Sequence, residues 1–228
     1  MKRFYKEVSI GSDGSILLDK KPILTPAKAR LVAPTRELAE ALAQEWRAQG
    51  DVIEPAGMWL TRLANTTIDR TRTHRDDIAD EILGFGRHDL LCYRATEPEE
   101  LIARQQAAWD PLLDWAFGRF GARLKTGHGV RHVEQGAESL AALRDVLHAQ
   151  DIWTLTGLQT ATTLTTSLIL GLAIAHARLS PAEAFAVSRI DEEFQAEKWG
   201  RDLHAERRAS NQAVELEMAG KFIALTRA

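Results

Sequence analysis

Residues 152–177 contain no Asp, Glu, Lys or Arg, an uncharged run of 26 in a chain of 228. At 1.5 Å per residue such a run is long enough to cross the roughly 30 Å of hydrocarbon in a bilayer. Its composition argues against that use. Seven threonines (154, 156, 160, 162, 163, 165 and 166), Ser167, Gln159 and His176 make it far more polar than a spanning helix. A helix without charge on any face is instead expected at the centre of a bundle, covered on all sides by other helices. No membrane insertion is expected, and the rest of the chain must supply the cover.

The first 35 residues have a different character. Short apolar-rich runs at 4–10, 15–18 and 23–25 are separated by Gly11-Ser12-Asp13-Gly14 and Asp19-Lys20-Lys21-Pro22, which is turn chemistry between antiparallel strands. Thr35 is placed to cap a helix carrying Leu38, Leu42 and Trp46 and stopping at Gly50. The expected fold is therefore α+β: a small antiparallel β-rich domain with one covering helix over residues 1–55, then an all-α domain over 56–228. Within the latter, Thr73 and Asp76 predict a capping-box start to a helix with Ile78, Ile82 and Phe85, ended by Gly84 or Gly86. Asp110-Pro111 predicts a kink or a new helix inside the pattern of residues 99–120. Leu140, Leu143 and Leu147 mark a helix over 137–149, and the uncharged helix follows Asp151. Ser180-Pro181-Ala182-Glu183 combines an N-cap serine, a proline at the first helical position and a glutamate three residues after the cap. A last helix is expected from about 201 to 222.

Chemistry is sparse. Neither a phosphate-cradling Gly-x-x-x-x-Gly-Lys-Ser/Thr nor a Gly-x-Gly-x-x-Gly occurs, so no nucleotide cofactor is expected. His128 and His132 are the only close histidine pair and lie in a glycine-containing loop, so no metal is expected. The one cysteine, Cys92, has apolar neighbours and reads as a small buried residue. Arg70, Arg72 and Arg75 are interrupted by Asp69, Asp76 and Asp77, and with 29 bases against 32 acids the chain has no field for nucleic acid. No catalytic residue is assigned. The competing enzymatic reading would use Glu193 and His204 as acid and base on a small molecule.

One constellation stands apart. On a single helix from Ser180, Val187, Ile190 and Phe194 face the core, while Phe185, Glu192 and Trp199 line up on the opposite side at seven-residue spacing. Residues 180–218 carry nine acids and five bases, net −4, while the whole chain is −3. Six of the chain's 15 aromatics are tryptophans. Trp46, Trp109, Trp115 and Trp153 sit beside apolar partners at helical spacing, and Trp59 is ambiguous. Trp199 alone shares a stripe with acids: either the following helix covers these aromatics, or the strip is exposed and Phe185, Glu192, Glu193, Glu197 and Trp199 are the candidate partner-binding residues.

Ordered along the chain are Phe4-Tyr5, the Leu18-Asp19 turn through Pro22 with Thr25-Pro26, Glu45-Trp46, and Leu60-Thr61-Arg62-Leu63-Ala64-Asn65-Thr66 with Asp69. They continue with Asp89-Leu90-Leu91-Cys92-Tyr93-Arg94, Trp109-Asp110-Pro111 with Trp115, and Ser188-Arg189-Ile190-Asp191-Glu192-Glu193 leading to Gln195 and Lys198-Trp199-Gly200. In order and spacing the set resembles the assembly chaperones that bind the alpha subunit of the catalytic head of the F-type ATP synthase. Lys20-Lys21 and Arg201-Asp202 depart slightly from that family's pattern. The resemblance implies a non-enzymatic protein, monomeric when free, that holds the unassembled alpha subunit until the beta subunit replaces it. It also implies that the acidic segment near the C-terminus acts in binding, which maps to Glu192, Glu193 and Glu197. The implied compartment is the bacterial cytoplasm, or the mitochondrial matrix for a processed eukaryotic chain. A general protein-binding scaffold is the third reading.

Overall fold

Turn residues with positive φ fold the N-terminus back on itself in the computed structural model, which describes residues 1–129 and 131–227. Strands β1 (Val8–Ile10), β2 (Ile16–Leu18) and β3 (Lys21–Pro22) form an antiparallel sheet in that order, with Val8 opposite Leu18 and Leu18 opposite Lys21. The third strand was expected over residues 23–25. Asp19 and Lys20 both take left-handed backbone (φ 47° and 67°), the geometry of a two-residue hairpin turn, so pairing resumes at once at Lys21. The Asp19 carboxylate accepts the Lys6 and Glu7 amides and ties this turn to the entering strand.

Helix α1 (Arg36–Arg47) begins as the sequence predicts, with the Thr35 hydroxyl accepting from the Leu38 amide at 3.2 Å. It ends at Arg47, three residues before Gly50. Glu45 on α1 accepts the Leu60 and Thr61 amides, both at 2.8 Å, and so caps α2 (Trp59–Thr66), which has no cap of its own. The core between sheet, α1 and α2 contains Ile16, Leu31, Leu38, Leu42 and Leu60, and is closed by Trp153 and Phe222 from much later in the chain.

Helix α3 (Arg75–Arg87) does not use the predicted capping box, because the Thr73 hydroxyl donates to the Arg70 carbonyl. Nor do its glycines stop it. The bare Cα of Gly86 instead lets Leu143 and Leu168 close on the helix. A short parallel pairing of β4 (Tyr93–Arg94) with β5 (Gly127–His128) flanks α4 (Glu99–Phe120). Helix α4 is one helix through Pro111. The amide that Pro111 lacks would have bonded the Ala107 carbonyl, and both residues are exposed, so solvent can satisfy it. Asp110, expected as a cap, lies 2.7 Å from the buried Arg94 guanidinium.

After α5 (Ala137–His148) the uncharged run forms two buried helices, α6 (Ile152–Thr165) and α7 (Leu168–Ala175), rather than the one expected. Threonine hydroxyls inside α6 bond back to the carbonyls four residues earlier, at Thr156, Thr160 and Thr165, which is how so polar a stretch is buried. The break has an agent. Asp89, fully buried, accepts the Ser167 hydroxyl (2.7 Å), the Ile169 amide (3.0 Å) and the Leu91 amide (3.1 Å), while Ser167 caps α7 and Thr166 turns left-handed. Among the described residues no helix is long and apolar enough to cross a membrane.

Burial raises the Asp89 carboxyl from 3.8 to about 6, more than the donors around it, Ile169, Ser167, Leu91 and Leu168, lower it. Between about pH 4 and 6 the folded chain therefore holds a proton that the unfolded chain has released. Stability falls as pH rises through this window, by roughly 3 kcal/mol from this group, and its contribution is level above it. His176, held low by burial, works in the opposite direction over the same range, so the Asp89 contribution is read as the difference in the pH slope of urea midpoints, pH 5 against pH 7, between wild type and a variant without this carboxyl. Asp89→Asn is that variant: it should lose the fall with pH that Asp89 contributes while lowering both midpoints, since an amide NH2 cannot accept all the bonds now made.

Helices α8 (Pro181–Ser188), α9 (Ile190–Trp199) and α10 (Leu203–Thr226) complete the fold. The capping box at Ser180 is present in full. The larger core runs through α3 to α8 and takes Leu216 and Ile223 from α10.

Candidate interaction surface

The single helix expected from Ser180 to Trp199 is broken at Arg189, and α4 explains why. The indole N–H of fully buried Trp109 donates to the Val187 carbonyl at 3.0 Å, taking the place an Asp191 amide would fill in a continuous helix. Gln105, also buried, accepts the Ala95 amide and donates to the Asp191 carboxylate at 2.6 Å. The α8–α9 corner is thus clamped on α4. Beyond it Phe194 is buried, with Arg104 and Lys198 over its ring, and Val187 and Ile190 pack against the core as expected.

The chain then reverses at Gly200, whose φ of 92° is strained for any side-chain-bearing residue. Asp202 caps α10 by accepting the Ala205 amide at 2.8 Å, and this bond holds its carboxyl below the usual range. From 203 to 215 no residue of α10 is buried; burial begins at Leu216. The free half of α10 and the end of α9 are the two walls of a groove of about 810 Å³.

Four of the five sequence-predicted residues come together in this groove: Phe185, Glu192, Glu193 and Trp199. Phe185 is half-buried beneath the Arg189 guanidinium, whereas Trp199 is 79% exposed. Glu193 is engaged by Arg201 at 3.0 Å, and Arg201 also reaches Glu206 at 3.4 Å, linking α9 to α10. Glu192 is exposed and has no ion-pair partner among the described residues. Glu197 lies apart: it pairs with Arg104 of α4 at 2.9 Å, next to Lys198–Glu100 at 3.0 Å, and pins α9 down. The opposite wall, with Ala205, Ala209 and Ala213, was not singled out in the sequence. Their four-residue spacing within the last helix, which the sequence predicts to run to 222 and the structure carries on to Thr226, was the available signal.

The other candidates are placed elsewhere. Glu193 is turned to Arg201 and His204 is exposed on α10, and among the described residues no hydrogen bond or ion pair joins the two as the alternative acid–base pair would need. Burial pushes the Cys92 thiol up to about 12, leaving it protonated and unreactive at neutral pH. The His132 ring stacks near His88, while His128 sits 3.5 Å from the Ala95 carbonyl. No group of three potential metal ligands occurs among the described residues. Trp46 packs on Tyr5, Trp115 on Phe120 and Trp153 on Phe222, and Trp59 lies under Arg62.

The ATP12 chaperone protein family matches residues 2–117. A relative, the mitochondrial protein atp12 of Schizosaccharomyces pombe, is 22% identical, covering 87% of this chain and 74% of that protein. The crystal structure of Atp12 from Paracoccus denitrificans is 42% identical, with a TM-score of 0.94 over 99% of this chain and 98% of that one. A crystal structure from Agrobacterium tumefaciens, also 42% identical, gives a TM-score of 0.92 over 98% of this chain and 85% of that one. With half its length under the family's pattern and nearly all of it superposed at this identity, the chain belongs to the ATP12 chaperone family.

Proposed function

We propose that the protein is a non-enzymatic assembly chaperone that binds the unassembled alpha subunit of the ATP synthase catalytic head, and that it does so through the groove between α9 and α10. Family membership supports the chaperone role, and the resemblance in sequence supports the alpha subunit as client. The observation that carries the site is the exposed Trp199 beside the unpaired carboxylate of Glu192. A large indole left in water at a groove mouth is costly unless a partner covers it. The physical need is plain: subunits of an obligate ring expose apolar interfaces before assembly and aggregate unless something exchangeable covers them. Binding is proposed in the compartment where alpha subunits await assembly, bacterial cytoplasm or mitochondrial matrix, with a free chaperone that is monomeric.

Glu192→Lys tests the site with little risk to the fold, because the side chain is exposed and has no ion-pair partner among the described residues. The circular dichroism spectrum and melting curve should be those of wild type. Capture of purified alpha subunit in a pull-down should fall about tenfold or more, as expected for reversing a charge that meets a partner's base. Undiminished capture would remove the groove from the reading.

A further inference from the structure

Resting on the groove as the client site, we propose that its occupant is one amphipathic helix of the partner. Its apolar side packs between the alanine wall of α10 and the Phe185–Trp199 wall, with a Lys or Arg set against Glu192 and an acid against Arg208. Three observations converge on this occupant.

The first is continuity along α10. At 100° per residue, Ala205, Ala209 and Ala213 lie on the same face as Leu216, Gly220 and Ile223. In the covered half that face is packed by helices: Ile223 rests on Gly157 of α6, and Gly220 admits Pro181 of α8. In the free half the same face carries the three alanines with Gln212 at its edge, and the small alanine side chains let another helix approach to the usual 8–10 Å between axes. The stripe from 205 to 213 is about 12 Å long, two turns, enough to read positions i, i+3 or i+4, and i+7 of a docked helix.

The second is hydrogen bonding. Away from the turn at Gly200 both walls are helix interiors whose backbone groups are already used internally, and among the described residues no strand lines the groove. An extended segment buried there would leave its amides unpaired, whereas a helix brings its own bonds made. The third is charge. Arg201 is occupied by Glu193 and Glu206, and Asp202, near Arg208, is spent on the α10 cap, which leaves Glu192 on one wall and Arg208 on the other as the groove charges free to meet a partner, neither having an ion-pair partner among the described residues. Such flanking charges fix the register of a helix between them.

The test places a photo-crosslinking benzoylphenylalanine at the exposed groove positions 195, 210 and 212 in turn, leaving the alanines in place, with purified alpha subunit as probe, alongside capture by Ala209→Trp and Trp199→Ala. Crosslinks falling in one alpha-subunit segment at three- or four-residue spacing, with capture by Ala209→Trp reduced more than about 30-fold, are the expected result. Crosslinks at alternate residues, or scattered over unrelated segments, would overturn the helix while capture lost in Trp199→Ala would keep the groove as the client site. Full capture by both variants would overturn the helix and the site together. Circular dichroism of each variant shows that the fold is retained.

Discussion

Trp109→Ala should lower the free energy of unfolding by about 3–5 kcal/mol, the range for removing a large buried aromatic. Trp109 is among the largest fully buried side chains, and its truncation also exposes one face of the buried Arg94 guanidinium, 5.2 Å from the ring. The more informative variant is Trp109→Phe. Most apolar contact survives, but the Val187 carbonyl loses its donor at the α8–α9 corner. A fully buried unsatisfied carbonyl costs about 1–3 kcal/mol and this half-buried one no more than that, and the nearest remedy is for the backbone to bond it by continuing α8 into α9. The expected consequence is local. Urea unfolding should show the modest loss, and hydrogen exchange should speed up at residues 185–193 more than in α6 or α7. Uniform acceleration across the protein would mean that Trp109 only fills volume.

That corner also shows where sequence reasoning reaches its limit. Periodicity placed Phe185, Glu192 and Trp199 on one side of a helix, and two of its landmarks hold, the Ser180 capping box and the buried Phe194, while the exposure of Trp199, which spacing left open, is given by the structure. The break at Arg189 depends on an indole 78 residues earlier, which no local pattern encodes. The same holds for the uncharged run. Its burial follows from composition, but its division into α6 and α7 requires Asp89, 78 residues before Ser167. Glu45 capping α2 is a third case, since the helix start at Trp59 has no cap in its own sequence. Where an N-cap is local, as at Thr35 and Asp151, the element was legible; where the satisfying group comes from another element, it was not. The site divides in the same way. Its α9 wall announces itself by aromatic and acidic spacing, while the α10 wall centres on alanines whose four-residue spacing points to no binding role until the chain reversal at Gly200 brings them opposite Trp199.

Trp199→Ala should leave stability unchanged within about 0.5 kcal/mol, the usual range for an exposed position away from caps and cores. The ring is 79% exposed and makes no aromatic or cation–π contact among the described residues, so the fold gains almost nothing from it. Binding should respond in the opposite sense. Central tryptophans at protein interfaces typically cost 2 kcal/mol or more when truncated, which is about a 30-fold loss of affinity. Trp199 meets the physical condition for that role: a large rigid surface beside a groove, with polar neighbours placed to exclude water around it. Leu203, 71% exposed and outside the residues lining the groove, is the control, and Leu203→Ala should keep capture within about threefold of wild type. Titration calorimetry against purified alpha subunit distinguishes the outcomes. A loss confined to Trp199→Ala locates the anchor in the groove; equal losses in both variants would spread the contact over the exposed tip of α10; and no loss in either would move the client site to another face of the protein.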